Sequence, residues 1–224
     1  DKKLKGLWII GEDIVQTDPN SAHVVEAMNS LELLVVQEIF MSETAKLATV
    51  VLPGTTFLEK DGTFTNTERR IQRVNRAVPP LPGTKPDGVI VTDMMQKLGF
   101  DQPTYDADQM LKEIADVVPF FKGVTRERLG KLGLQWPVQE DGTDTQILHT
   151  ESFKLGRGRL KNFDWKESTE IETNKKEYPL ILTTSRVLQH YNAATMTRRT
   201  KNINIVDEDV LLIHPKDAAH RDIN

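Results

Sequence analysis

The chain has 224 residues, of which 38% are hydrophobic and 28% are charged, as in ordinary globular proteins. No apolar run approaches the roughly 20 residues of a membrane-spanning helix, and a net charge of -4 argues against a broad basic surface for nucleic acid or anionic lipid. The absence of cysteine excludes disulfides, iron–sulfur ligation and a cysteine nucleophile within these residues. It is also compatible with a cytoplasmic protein, which is the location we expect.

Residues 1–120 have the alternating pattern of an α/β domain. Three short, almost continuously apolar runs lie at residues 6–11, 33–37 and 50–52. Such runs are typical of strands that are buried on both faces of a parallel sheet. Asn20 is placed to cap a helix over residues 21–29, and Ser42 is placed to cap a shorter helix. The order strand, helix, strand, helix, strand predicts a doubly wound, mostly parallel sheet.

The remainder of this domain is predicted to be a charged segment followed by two helices. Residues 55–77 are rich in charge and predict a turn with an irregular or hairpin structure, and prolines within residues 79–86 make a stiff loop. Asp87 precedes a predicted amphipathic helix at residues 89–98. A second helix is predicted at residues 107–118.

Residues 121–176 lack periodicity and are predicted to be a loop-rich connector, and residues 177–224 are predicted to begin a second, β-rich domain. Strands are expected at residues 178–184 and 210–213, and Pro215 can begin a helix at its first position. This domain looks incomplete, and the chain has neither an initial Met nor a visible signal peptide. We therefore expect the chain to be a C-terminal piece of a longer protein.

Short loop segments follow the three predicted parallel strands, where ligands of open parallel sheets bind. Their candidate binding residues are Gly11, Glu12, Asp13, Thr17, Gln37, Glu38, Ile39, Pro53, Gly54 and Thr55. Glycine lets a ligand approach the backbone, and carboxylates can accept hydrogen bonds from the N–H groups of a guanine ring. The alternative is that these are ordinary loop residues that cap helices, because the sequence has no glycine-rich dinucleotide fingerprint and no Walker sequence.

A second polar cluster lies in the predicted second domain. It comprises Thr183, Thr184, Ser185, Arg186, His190, Tyr191, Asn192, Thr197, Arg198 and Arg199. Hydroxyl, guanidinium and imidazole groups after a strand suit a phosphate or pterin ligand, and the alternative is a solvated loop. His190 could serve as a base, but no nucleophile partner is evident, and the sequence has no zinc or calcium motif.

Several motifs, each weak alone, occur in one particular order along the chain. They are Gly11-Glu12-Asp13 with Thr17-Asp18, residues 35–40, 43–45 and 50–53, Glu-Lys-Asp-Gly-Thr-Phe-Thr-Asn at 59–66, Glu-Arg-Arg at 68–70, and residues 134–137, 182–186, 190–192 and 196–199. The ordered set covers nearly the whole chain and resembles the molybdopterin oxidoreductase family. Within that family the resemblance is greatest to the alpha subunit, the large catalytic subunit, of formate dehydrogenases.

The resemblance implies a bis(molybdopterin guanine dinucleotide) cofactor with molybdenum or tungsten, held between domains. The residues expected to cradle one guanine dinucleotide are Gly11, Asp13, Thr17, Gln37, Glu38, Ile39, Gly54 and Asp87. The residues expected to contact the pterin and phosphates are Thr184, Arg186, His190 and Asn192. The family's metal-ligating cysteine or selenocysteine, a neighbouring histidine and the cysteines of a 4Fe-4S cluster lie upstream. This chain is therefore expected to hold cofactor and to carry no catalytic or metal-ligating residue.

The implied reaction of the whole protein is oxidation of formate to carbon dioxide, with electrons passed through iron–sulfur clusters. The expected partners are formate, the remainder of the large subunit and an electron-accepting subunit or carrier, without nucleic acid or a membrane span. The alternatives are a nitrate or other oxyanion reductase, a non-catalytic scaffold subunit like that of respiratory complex I, and a generic nucleotide-binding domain. The sequence departs from residues frequent in the family at Thr49, Gly88, Ser185, Ala193 and Ala194.

Overall fold

A computed structural model of the chain describes residues 3–169 and 175–223. These residues form two compact units. The first consists of the described parts of Asp1–Val15 and Asn20–Asn162, and the second of those of Gln16–Pro19 and Phe163–Asn224. Residues 121–162 of the predicted connector thus belong to the first unit, and the predicted boundaries near 120 and 176 stay predictions.

A parallel three-stranded sheet forms the first part of unit one, and it confirms the predicted α/β class. Its strands are β1 (Gly6–Ile10), β2 (Leu33–Glu38) and β3 (Val50–Pro53), hydrogen-bonded in the order β1-β2-β3. The helices that join them are α1 (Ile14–Thr17), α2 (Ser21–Asn29) and α3 (Glu43–Lys46). Each strand is the apolar run that the sequence indicated. The central strand β2 is mostly buried, whereas Ile10 of β1 is 49% and Val50 of β3 is 43% exposed.

The helices of this sheet begin at the predicted caps. The Asn20 side chain accepts a hydrogen bond from the N–H of His23 at 3.2 Å, and the Ser42 hydroxyl accepts one from the N–H of Ala45 at 3.2 Å. Each bond satisfies one of the N–H groups that the first turn of a helix leaves free. The helices and strands share a core of Ile9, Met28, Leu34, Val36 and Ala45.

The charged segment after β3 forms an antiparallel hairpin, as one of the predicted alternatives had it. Its strands are β4 (Gly62–Thr65) and β5 (Arg70–Val74). A short strand from the predicted connector, β6 (Leu134–Gln135), extends them to a sheet with the order β4-β5-β6. The helices that follow β5 in the sequence are α4 (Asp87–Lys97), α5 (Ala107–Val117) and α6 (Arg126–Leu129). A second core joins Ile71, Leu111, Val124, Leu129 and Val138.

Among the residues that the structure describes, no helix is both long and apolar enough to cross a membrane.

Arg69 ties part of the predicted connector to the β4–β5 turn. Its guanidinium donates to the carbonyl oxygens of Trp136, Thr145 and Gln146, the last two at 3.1 and 2.9 Å, and it lies over the Trp136 ring at 5.7 Å. The planar guanidinium of one arginine thus donates hydrogen bonds to three carbonyl oxygens of the same segment. The segment around β6 is therefore an ordered part of unit one, although its sequence has no periodicity.

The second unit is mostly irregular in the part of it that the structure describes. Two 3-10 turns (Thr197–Arg199 and Lys201–Asn204) precede helix α7 (Pro215–Ala219), which begins at the predicted proline. The strands predicted at residues 178–184 and 210–213 are wrong for this structure, since both runs are irregular and exposed. A strand needs a neighbour for its N–H and C=O groups, and within residues 175–223 neither run has one.

Candidate functional site

The carboxyl ends of the three parallel strands bring several predicted site residues together at one sheet edge. The N–H of Gly11 donates to the carbonyl oxygen of Gln37 at 2.9 Å, and the N–H of Gly54 donates to that of Glu38 at 3.0 Å. In the same register Glu38 pairs with Pro53. Residues that lie 43 positions apart in sequence, Gly11 and Gly54, are thus placed on either side of the end of β2.

A hydrogen-bonded chain of three side chains crosses this edge. The side chain of Gln37 donates from Nε2 to Oδ1 of Asp87 at 2.8 Å, and Lys60 donates from Nζ to Oδ2 of the same carboxylate. Gln37 is only 1% exposed, whereas Lys60 and Asp87 are half-buried. Burial alone would raise the pKa of Asp87, but the hydrogen bonds from Lys60 and Gln37 and the charge of Lys60 hold it below its ordinary value.

Gly54 allows the Asp87 carboxylate to approach the backbone after β3. A Cβ atom at position 54 would lie 3.2 Å from Asp87 Oδ1 and 3.6 Å from the side chain of Ile39. The N–H of Ile39 is itself occupied, because it donates to the Glu38 carboxylate at 2.7 Å. The predicted residues Glu38, Ile39 and Gly54 therefore shape a tight wall beside Asp87.

Two buried polar atoms near the strand ends have no hydrogen-bond partner among the described residues. They are Oε1 of Gln37 and Oγ1 of Thr55, and both side chains are almost fully buried. A buried polar group without a partner costs about 1–3 kcal/mol, so native proteins rarely keep one without a reason. An acceptor and a hydroxyl left open beside a glycine-lined edge fit a ligand that carries N–H groups, as guanine does.

Asp13 is brought to the same part of the sheet, but its carboxylate is already engaged. It is buried, and Oδ1 accepts from the N–H of Thr44 at 2.9 Å and from the Thr44 hydroxyl at 2.7 Å. The Thr44 hydroxyl in turn accepts from the N–H of Val15 at 3.1 Å. Asp13 thus joins the loop after β1 to the start of α3. Thr17 ends α1 and belongs to the second unit.

The predicted site residues of the second unit are arranged differently. His190 is held on both ring nitrogens, with Nδ1 3.0 Å from the Thr197 hydroxyl and Nε2 2.7 Å from the carbonyl oxygen of Val206. A carbonyl oxygen only accepts, so Nε2 is the donor in the bond to Val206. His190 therefore fixes its own loop. Thr184, Arg186 and Asn192 are exposed, and Asn192 has a left-handed backbone with φ of 49°.

Two residues of the site received no role from the sequence. Lys60 lies within a segment that the sequence singled out, but its partner depends on the tertiary fold. The second is Tyr105, whose ring lies against Gly88 so closely that a Cβ atom there would be 2.1 Å from it. Burial, followed by the charges of Asp106 and Asp87, raises the pKa of Tyr105. Within the described residues, no group of three or more His, Asp or Glu side chains is placed to hold a metal.

The fold is that of an α/β domain with an open edge at the ends of its parallel strands, and comparison with known proteins gives its family. The Molybdopterin oxidoreductase model matches residues 1–97, and the Molydopterin dinucleotide binding domain model matches residues 180–224. The chain belongs to the molybdopterin oxidoreductase family.

The similar proteins are much longer than the chain. An F420-dependent formate dehydrogenase subunit alpha of Methanocaldococcus jannaschii is 43% identical over 97% of the chain and 33% of its own length. An F420-dependent formate dehydrogenase 2 subunit alpha of Methanococcus maripaludis is 44% identical over the same shares. The solved acetylene hydratase of Pelobacter acetylenicus has a similar fold, with a TM-score of 0.62 and 21% identity over 98% of the chain and 32% of that protein. The chain thus spans about a third of the length of these relatives.

Proposed function

We propose that the chain is part of the large subunit of a molybdenum- or tungsten-dependent formate dehydrogenase and contributes cofactor binding. The observation that carries the proposal is that two buried polar groups at the carboxyl ends of parallel strands, Oε1 of Gln37 and Oγ1 of Thr55, have no hydrogen-bond partner among the described residues. Ligands of such sheets bind at that edge. The identity to formate dehydrogenase alpha subunits supports the choice of formate as substrate.

In this proposal the first unit contacts one guanine dinucleotide. Gln37 and Asp87 offer acceptors for the base, while Gly11 and Gly54 leave room for close approach. Asp13 and Glu38 shape the loops around them, because their carboxylates accept from the backbone N–H groups of Thr44 and Ile39. We further propose Thr17 as a residue that contacts the guanine dinucleotide, and Thr184, Arg186, His190 and Asn192 as residues that hold the pterin and phosphates. We also propose domain boundaries near residues 120 and 176.

When bound, a bis(molybdopterin guanine dinucleotide) group supplies the redox chemistry, and the protein supplies position and electrostatics. The chain has no cysteine, so thiolate ligands for the metal and for iron–sulfur clusters must come from elsewhere in the protein. Oxidation of formate to carbon dioxide releases two electrons, which we propose pass through such clusters to an acceptor subunit or carrier. We propose a cytoplasmic location for the whole protein.

The test is metal and pterin analysis of the full-length protein, produced in a cell that makes the cofactor. We expect molybdenum or tungsten, pterin and guanosine monophosphate in fixed ratio, and reduction of a dye by formate. Nitrate reduction without formate oxidation would replace the substrate by an oxyanion. A protein that holds only iron and sulfide would instead be a scaffold, and the cofactor proposal would be lost.

A further inference from the structure

The contacts of Asp87 constrain which way the Gln37 amide faces. An ionised carboxylate only accepts hydrogen bonds, so the group that Gln37 presents to it must be the Nε2 donor. Asp87 Oδ1 receives that bond at 2.8 Å, while Oδ2 receives the Lys60 ammonium. The amide oxygen therefore points away from Asp87, and it is the buried acceptor that lacks a partner among the described residues.

The ammonium of Lys60 keeps this arrangement in one state. Asp87 is half-buried, and without the cation nothing holds its Oδ2 in place, so the carboxylate is free to turn toward solvent. Nε2 of Gln37 then loses its acceptor, and the amide can reverse and turn Nε2 toward the ligand. A donor would face the N–H groups of the base, and one hydrogen bond would become a contact between two donors.

We propose that Lys60 is a positioning residue that, through Asp87, fixes the Gln37 amide so that its oxygen receives an N–H of the ligand's base. This role rests on the proposed function, because it concerns how the proposed dinucleotide site recognises the base. It selects bases that present N–H donors on the edge facing Gln37, as guanine does with its ring N–H and amino group. Lys60 itself need not touch the ligand.

The competing explanation is that Lys60 and Asp87 form only a partly exposed ion pair, which contributes little. The chain offers a matched control for this explanation. Lys85 pairs at 2.6 Å with Asp93, which lies on the same helix α4 as Asp87. The side chain of Lys85 is more exposed than that of Lys60. Lys85→Met removes an ion pair to α4 without touching Gln37, so it isolates the orienting role of Lys60.

The experiment compares full-length holoenzymes carrying Lys60→Met, Lys60→Arg and Lys85→Met with the wild type. The readout is the rate at which the guanine dinucleotide dissociates from the diluted protein. At each time, the fraction still bound is measured as the guanosine monophosphate that hydrolysis releases from the protein. We expect Lys60→Met to accelerate the loss about tenfold, the effect of one poorly matched polar contact to a charged or buried partner. Lys60→Arg restores the cation and should stay near the wild-type rate, as should Lys85→Met.

Each other outcome overturns a defined part of the reasoning. Loss at the wild-type rate from Lys60→Met refutes the positioning role and leaves the proposed function standing. Equal acceleration in Lys60→Arg or Lys85→Met refutes it too, because a charge at position 60 would then not be the cause. A wild-type protein without guanosine monophosphate refutes the proposed function itself. The thermal midpoint of each protein, measured in parallel, detects a variant that is merely unfolded.

Discussion

At the scale of single residues, a buried carboxylate and a threonine hydroxyl fix the loop after β1. Asp13 accepts two hydrogen bonds from Thr44, and the Thr44 hydroxyl accepts a third from the N–H of Val15. All of these groups are removed from water to a large extent, so each lost partner leaves an unsatisfied polar atom. The position of Asp13 in any cofactor site therefore depends on Thr44.

Thr44→Val should test this dependence, because valine keeps the shape and removes the hydroxyl. We expect the free energy of unfolding to fall by about 1–3 kcal/mol, since a charged acceptor and a backbone N–H both lose a partner. Urea unfolding followed by circular dichroism measures it. Thr84→Val is the control, because the Thr84 hydroxyl is exposed and donates to the carbonyl oxygen of Leu81. An equal loss in both variants would contradict a special role for Thr44.

The sequence could locate the strand-end residues but not their connections. Gln37 and Gly54 follow apolar runs, and parallel strands place such positions at one edge. Lys60 could not be assigned a role, because its partner Asp87 lies 27 positions away on another element. The burial of Thr55 was equally invisible, since it results from packing between segments and has no local pattern. Long-range pairs of this kind appear only once the fold is known.

At the scale of elements, the predictable parts of the fold are those with a local cause. Helix α2 has its Asn20 cap, and β1 and β2 have continuous apolar runs. The elements α6 and β6 have four and two residues, too few for a periodic pattern. They are ordered because Leu129 of α6 is buried in the second core and Leu134 of β6 packs against that core. Their order is a tertiary effect.

Gly133, between α6 and β6, is the point where this tertiary order is most sensitive. Its φ of +78° is in the left-handed region, and a Cβ atom would lie 2.2 Å from the carbonyl oxygen of Ile71 in β5. Gly133→Ala should lower the free energy of unfolding by more than about 1 kcal/mol, because the conformation and the contact are both unfavourable. Denaturant titration measures the change.

The control for Gly133 is Gly158→Ala, since position 158 has no neighbour within 4 Å of an added Cβ atom and no left-handed backbone. We expect its unfolding free energy to stay within about 0.5 kcal/mol of the wild type. If both alanines had the same small effect, the close packing of Gly133 on β5 would be refuted. If both substitutions strongly lowered the free energy of unfolding, the loss would come from replacing a glycine at either position. The contact with Ile71 would then not be its cause.

At the scale of the whole molecule, the two units differ in how their apolar residues are used. Unit one has two cores, whereas in the described part of unit two Leu182 is 78% and Leu212 is 87% exposed. Both belong to runs with strand-like sequences, and residues 180–224 match the dinucleotide-binding domain family. The expectation of strands there had a sound local basis, but local preference needs a hydrogen-bonding partner to become a strand.

Hydrogen exchange can decide whether the hydrogen-bonding partner of these two runs lies in the part of the full-length protein outside the 224 residues. In the 224-residue chain, we expect backbone amides of residues 178–184 and 210–213 to exchange as fast as exposed coil, while those of β2 are protected by pairing with β1 and β3. In the full-length protein we expect the two runs to become protected and β2 to remain so. Mass spectrometry of peptides covering the three segments measures both states side by side. Fast exchange of the two runs in the full-length protein would mean that their exposure belongs to the native domain, and that their sequences specify a loop.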